Sequence, residues 1–168
     1  MKNLFLTLAF FLTINLCCVG QIDTHVLEFN VGKSTKNEVI KILQQKYSPN
    51  NVPSYFDNGD NINVFKRIKL WGGEWGAITF SFKKNILYRV SFSHFERNNT
   101  IHILNIFDTV FSELNNAYGQ YNITNNPQSL FQQFRDNTFS IILSTSRIDS
   151  TDDIGLTFTD LVLYNQAP

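Results

Sequence analysis

The chain carries three histidines, His25, His94 and His102, and an imidazole can bind a transition metal, move a proton or activate a nucleophile. His94 closes a strand-like pattern and His102 opens a helix-like one, so the two can approach. No motif spacing joins them to further ligands, however, and polar or capping roles are predicted, with no metal. Ser91, Ser93 and His94 are close in sequence, but in an alternating strand Ser93 and His94 point to opposite faces, which defeats a nucleophile–base pair. No Gly-x-Ser-x-Gly elbow occurs. Asp149, Asp152 and Asp153 could supply paired carboxylates for glycoside cleavage, yet they read as a solvated polar loop. Asp57-Asn58-Gly59-Asp60-Asn61 offers calcium-type oxygens without the closing bidentate Glu, so turn chemistry explains it. Gly32-Lys33-Ser34 would need a glycine at position 27 to be a phosphate loop, and Leu27 stands there. No catalytic residue, no metal and no cofactor is predicted, and the chain reads as a non-enzyme.

Trp71-Gly72-Gly73-Glu74-Trp75 is the most unusual local feature, because two large aromatics flank a flexible turn. Either the rings fold back over the sheet edge as a lid on the core, or they are exposed anchors for a protein or a sugar, with Glu74 as a polar contact. Phe65 and Arg67 point away from the apolar parity of their strand and would extend that surface. Asp149-Ser150-Thr151 and Asp108-Thr109-Val110 match an O-glycosylation tripeptide, which makes Ser150 a candidate modification site. Asn98-Asn99-Thr100 and Asn122-Ile123-Thr124 match the N-linked acceptor pattern.

The elements that must position these residues can be read from periodicity. Val26, Leu27 and Phe29 predict a short strand. Thr35 with Glu38 forms a capping box ahead of a helix whose buried stripe is Val39, Leu43 and Tyr47. Pro49, Asn50, Asn51 and Pro53 lead into a turn-rich loop. Asn61 to Leu70 reads as one strand bulged near Phe65, followed by a turn over Trp71 to Glu74. Ile78, Phe80 and Phe82, then Tyr88, Val90 and Phe92, alternate with polar residues as an antiparallel meander. Asn98, Asn99 and Thr100 cap a second helix striped by Ile103, Phe107, Val110, Leu114 and Tyr118, with Gly119 placed to stop it. A hairpin follows over Leu130 to Arg135 and Phe139 to Leu143. Asp149 to Asp153 is a polar loop before a last strand through Leu156 and Phe158 and onward to Tyr164. The predicted class is α+β: an antiparallel sheet with two helices on one face, in a duplicated helix-then-three-strands order over about 25–95 and 98–164.

Of 168 residues, 14 are Lys or Arg and 14 are Asp or Glu, a balance that gives no footing for nucleic-acid binding. With 43% hydrophobic and 17% charged residues the chain is too apolar for disorder. Lys2, the apolar run Leu4 to Leu16 and the small residues up to Gly20 describe a cleaved signal peptide over 1–20, leaving 21–168 as a single domain. Export places it in the periplasm or outside the cell, and no later segment approaches the about 20 apolar residues of a membrane span. The only two cysteines, Cys17 and Cys18, leave with that leader, so the fold must rest on its core. Lipidation at Cys17 or Cys18 is the rival reading, but Leu16 is a poor neighbour for it.

Phe29 to Val39, with Gly32, Lys33, Ser34, Thr35 and Glu38, then Leu43 and short antiparallel strands, resembles the small exported bacterial domains grouped with the outer-membrane lipoprotein BamE and the β-lactamase inhibitor protein BLIP. That resemblance implies a non-catalytic, adaptor- or inhibitor-like domain that binds another envelope or extracellular protein. The mature chain departs from BLIP in having no disulfide and from BamE in its poor lipidation site, so neither specific function carries over. A carbohydrate-binding module using the same aromatics is the alternative, and a hydrolase with an unrecognised site the third.

Overall fold

The computed structural model describes residues 21–47, 55–124, 126 and 128–166. The predicted leader with Cys17 and Cys18, the prolines Pro49 and Pro53 with Asn50 and Asn51, and Asn125 lie outside the described residues.

β1 (His25–Val26) and β2 (Phe29–Asn30) pair as a tiny hairpin with Val26 opposite Phe29. Leu27 turns the chain there with φ +57°, so the single strand expected over Val26 to Phe29 is a hairpin instead. α1 (Lys36–Tyr47) starts on the capping box. Thr35 N–H donates to Glu38 Oε2 at 2.8 Å, and Glu38 N–H donates back to Thr35 Oγ1 at 3.3 Å, satisfying two of the helix's free donors. Val39 and Leu43 are buried one turn apart, as the stripe requires.

β3 (Tyr55–Asp57), β4 (Asn61–Val64), β7 (Ala77–Lys83), β8 (Ile86–Arg97), β9 (Phe131–Arg135), β10 (Phe139–Ile148) and β11 (Thr151–Asp160) build one antiparallel sheet in the order β3-β4-β7-β8-β11-β10-β9. Between β4 and β7, a separate hairpin of β5 (Ile68–Leu70) and β6 (Gly73–Trp75) leaves the sheet. The strand predicted over Asn61 to Leu70 is therefore two strands in two sheets, broken at the exposed segment Phe65 to Arg67. Likewise Gly73 and Glu74 belong to β6, and the turn shrinks to Trp71-Gly72. α2 (Thr100–Tyr118) is capped by the Asn99 side chain, which accepts from His102 N–H. Gly119 ends it in a right-handed conformation (φ −54°) and a 3-10 turn over Gly119–Tyr121, not through the left-handed glycine cap expected. The last strand, expected to run on to Tyr164, stops at Asp160, whose side chain accepts from Leu163 N–H and starts a short α3 (Leu161–Tyr164).

One parity of the sheet is apolar: Val90 and Phe92 of β8, Leu156 and Phe158 of β11, and Ile141 and Leu143 of β10 are buried. They form one cluster with Val39 and Leu43 of α1 and Ile103, Phe107, Val110 and Leu114 of α2, so both long helices serve the same core. The fold is α+β, as the pattern predicts.

The loop expected over Asp149 to Asp153 is a two-residue turn, Asp149-Ser150, with Asp149 at φ +55°, and β11 already begins at Thr151. Asp152 is buried in that strand. It accepts from Thr100 Oγ1 at 2.9 Å and lies 3.5 Å from the Arg147 guanidinium, tying β10 and β11 to the start of α2.

Candidate functional site

The aromatic turn is resolved by local geometry. Leu70 pairs with Gly73 across Trp71 (φ +53°) and Gly72 (φ +69°), two successive left-handed residues that define a type I′ hairpin turn. Gly72 suits such a turn, whereas a bulky residue at Trp71 is strained, and its ring is held at 5.7 Å from Tyr118 of α2. Gly73 brings the hairpin against α2: a Cβ there would stand 2.9 Å from Val110 Cγ2. Trp75 is 0% exposed, 5.9 Å from the Phe92 ring, and its Nε1–H donates to the Leu70 carbonyl at 3.0 Å. As a surface anchor, Trp75 is corrected: it is a core residue. Trp71 is a half-buried lid over the helix. Phe65 remains 70% exposed, and Arg67 pairs with Glu74 at 3.4 Å.

Arg67 and Glu74 do join a site, though not through the tryptophans. With Lys69, Gly72, Gly73 and Ile106 they line a cavity of about 360 Å³ whose opposite wall is His94, Glu96 and His102. β8 runs on past the apolar core, so that His94 and Glu96, at alternate positions on its core-side face, stand beyond Phe92. Asn98 (φ +56°) turns the chain straight into α2, whose first turn returns His102 to them. Glu96 Oε1 lies 3.2 Å from His94 Nε2 and 2.7 Å from His102 Nδ1. Asn99 Nδ2 donates to the other carboxylate oxygen at 2.6 Å. Burial pushes the Glu96 carboxyl up, but hydrogen bonds from both imidazoles and Asn99 outweigh it and hold the group below its ordinary range. Sequence reasoning gave these histidines polar or capping roles; the structure gathers them with Glu96 into one cluster whose donor atoms all lie within 4.8 Å of one another. Their signal is a His-x-Glu alternation at a strand end followed by a helix whose first turn carries a histidine.

The opposite face of the sheet is of another kind. One row crosses all seven strands, from Gln133 through Ile142, Thr157, Ser91, Thr79 and Asn63 to Phe56. The next rows add partly exposed Ser93 and Ser144 on one side and buried Ser81, Ser140 and Thr159 on the other. Many of these groups bond sideways, Thr157 Oγ1 to Ser91 Oγ at 3.1 Å and Thr79 Oγ1 to Asn63 Oδ1 at 2.8 Å. Charged residues on this face include Arg89 and exposed Arg135 in the row of Ser140 and Thr159, and Asp153 one row beyond Ser93. Arg89 lies against the stacked pair Tyr88 and Tyr164, whose ring centres are 6.3 Å apart, its guanidinium 5.3 and 5.0 Å from them. Asp153 is half-buried. Burial raises its pKa above the usual carboxylate range, against the pull of His94, the Ile154 N–H and the Ser146 hydroxyl. Exposed Phe56, Phe95 and Phe131 stand on the same face. Ser150 sits in the β10–β11 turn, partly exposed, its carbonyl accepting from Asn98 N–H at 3.0 Å.

No protein-family model, curated protein or solved structure matches this chain. Among the described residues, no helix is long and apolar enough to cross a membrane. The class defined by fold and site is thus an α+β domain with a seven-stranded antiparallel sheet and two long helices that share its apolar core, the other parity of the sheet being rich in hydroxyls.

Proposed function

We propose that this is an exported, non-catalytic protein-binding domain of a bacterial envelope, docking through the hydroxyl-rich face of its seven-stranded sheet around the partly exposed Thr79, Ser91 and Thr157. The observation that carries the reading is the composition of that face. A sheet face left to water ordinarily bears long charged side chains, which lose rotamer freedom when covered. Here it bears short hydroxyls and amides, already cross-linked by hydrogen bonds, with aromatic rings around them. The central row of such a surface is stiff and uncharged, as interface centres are, with Arg89, Arg135 and Asp153 in the rows around it. Six inter-strand spacings of about 4.8 Å by two row spacings of about 6.7 Å give roughly 400 Å². That is about half of the roughly 800 Å² per partner of a standard interface, the remainder falling to the rim of aromatic and charged side chains. The BamE- and BLIP-like resemblance points the same way.

The experiment compares capture from envelope extract by the purified protein and by its Ser91→Lys and Thr157→Lys variants, with folding checked by circular dichroism. A protein retained by wild type and by Trp71→Ala, but released by either lysine variant, is the expected result. A partner that survives both lysines, or is lost with Trp71→Ala alone, places binding elsewhere.

A further inference from the structure

We propose that His94, Glu96 and His102 form an open three-ligand site for a divalent transition metal, of which Zn²⁺ is the first candidate. All three donors come from nine consecutive residues, so the site depends on one strand end, one turn and one helical turn rather than on distant parts of the chain. Ligand type argues for the metal class: two imidazoles and one carboxylate suit Zn²⁺, Cu²⁺ or Ni²⁺, whereas Ca²⁺ and Mg²⁺ demand oxygen shells.

The geometry is close to what coordination needs. Tetrahedral ligands about 2.0–2.2 Å from zinc lie about 3.3 Å from one another. Glu96 Oε1 is already 3.2 Å from His94 Nε2 and 2.7 Å from His102 Nδ1, so one separation fits and the second opens by about half an ångström, while the two nitrogens, within 4.8 Å of each other, close by up to about 1.5 Å. Without a metal, both nitrogens turn toward a single carboxylate oxygen; a cation placed among the three replaces the shared protons and joins the same atoms. Asn99 supplies the outer support, since its amide donates to Glu96 Oε2 at 2.6 Å and so leaves Oε1 to face the two imidazoles. The remaining coordination position opens on the cavity, where Lys69 and the Arg67–Glu74 pair stand. Water or a small anionic group is the ligand that this wall accepts.

The test is calorimetric titration of Zn²⁺ into the purified protein, with no histidine tag, beside variants whose folding is checked by circular dichroism. One zinc per chain is expected, with at least a tenfold weaker affinity in His94→Ala and in His102→Gln. Asn99→Ala should weaken it about tenfold by freeing the carboxylate. His25→Ala is the control: His25 pairs with Asp23 at 3.0 Å outside the cluster and should leave the affinity unchanged. Co²⁺ should give the intense visible bands of low-coordinate cobalt, absent from the His102→Gln protein, and Ca²⁺ should give no heat. Absence of zinc binding at millimolar metal, or affinity that falls with His25→Ala and not with His94→Ala or His102→Gln, overturns the site.

Discussion

Trp75→Ala separates a core tryptophan from a binding one. The indole is 0% exposed, packs on Phe92 and donates to the Leu70 carbonyl. Truncating a fully buried aromatic costs about 3–5 kcal/mol through lost transfer energy and the cavity left behind. For a domain of this size, each kcal/mol moves Tm by about 2–4 °C, so Trp75→Ala should melt roughly 10–15 °C below wild type. Trp75→Phe keeps most of the packing and removes the N–H, leaving the Leu70 carbonyl without its donor, at about 1–2 kcal/mol. Trp71→Gly acts differently. It relieves a left-handed backbone worth about 1–2 kcal/mol while giving up the contact with Tyr118, and should fall within about 1 kcal/mol of wild type. Urea unfolding followed by far-ultraviolet circular dichroism reads all three, because the substitutions remove the fluorescent probes themselves. A Trp75→Ala protein within 1 kcal/mol of wild type would refute the reasoning. So would ready acrylamide quenching of Trp75 in a Trp71→Phe background.

Asp136 closes the β9–β10 turn by accepting from Thr138 and Phe139 N–H, both at 2.7 Å, and it anchors Ile22 N–H at 3.0 Å. Burial raises its pKa, but these backbone donors lower it further, to below the ordinary carboxylate value. A depressed folded pKa stabilises above the unfolded value near pH 4 and loses that contribution as pH falls through the folded one. Asp136→Ala should therefore cost about 1–3 kcal/mol at pH 7, and the gap to wild type should narrow below pH 4; a gap constant down to pH 2 would contradict it. Gly73→Ala drives a methyl to 2.9 Å from Val110 Cγ2 and should destabilise by about 1–3 kcal/mol in the same urea assay, as the hairpin is forced off α2. Thr35→Ala removes one half of the capping box and should cost about 1 kcal/mol, with the loss confined by hydrogen exchange to the first turns of α1.

What the sequence makes legible is whatever one element decides alone. Thr35 and Glu38 announce α1, and the spacing of Val39 and Leu43 gives its buried side. Ile103, Phe107, Val110 and Leu114 do the same for α2, and strict alternation from Ile78 to Phe92 marks β7 and β8. The errors arise where position is set by something distant. Ile62, Val64, Ile68 and Leu70 keep one parity across Phe65 to Arg67 because both β4 and β5 lay that side on the core, so the pattern continues although the strand does not. Trp75 declares a large aromatic, but only the approach of α2, which Gly73 permits, decides that the ring faces inward. Asp149 to Asp153 looks like a loop by composition, yet Asp152 is stable in a strand because Thr100 and Arg147 come to it from elsewhere in the fold.

The histidine cluster and the hydroxyl face meet on one strand, and strand geometry keeps them apart. On β8, His94 and Glu96 point to the helix side while Ser91, Ser93 and Phe95 alternate with them toward the open face. A lysine at Ser91 therefore stands on the far side of the sheet from the proposed metal, and a glutamine at His102 touches nothing on the docking face. Zinc affinity should be indifferent to Ser91→Lys, and partner capture indifferent to His102→Gln, if the two surfaces act separately. Coupling between them would have to pass through the backbone of β8 itself. Phe95, adjacent to both His94 and Glu96, would carry it: metal uptake that fixes its neighbours also fixes the strand end from which that exposed ring projects. Partner capture strengthened by Zn²⁺ in wild type, and unchanged by Zn²⁺ in Phe95→Ala, would identify that route; zinc-independent capture in both would show that β8 carries two independent sites back to back.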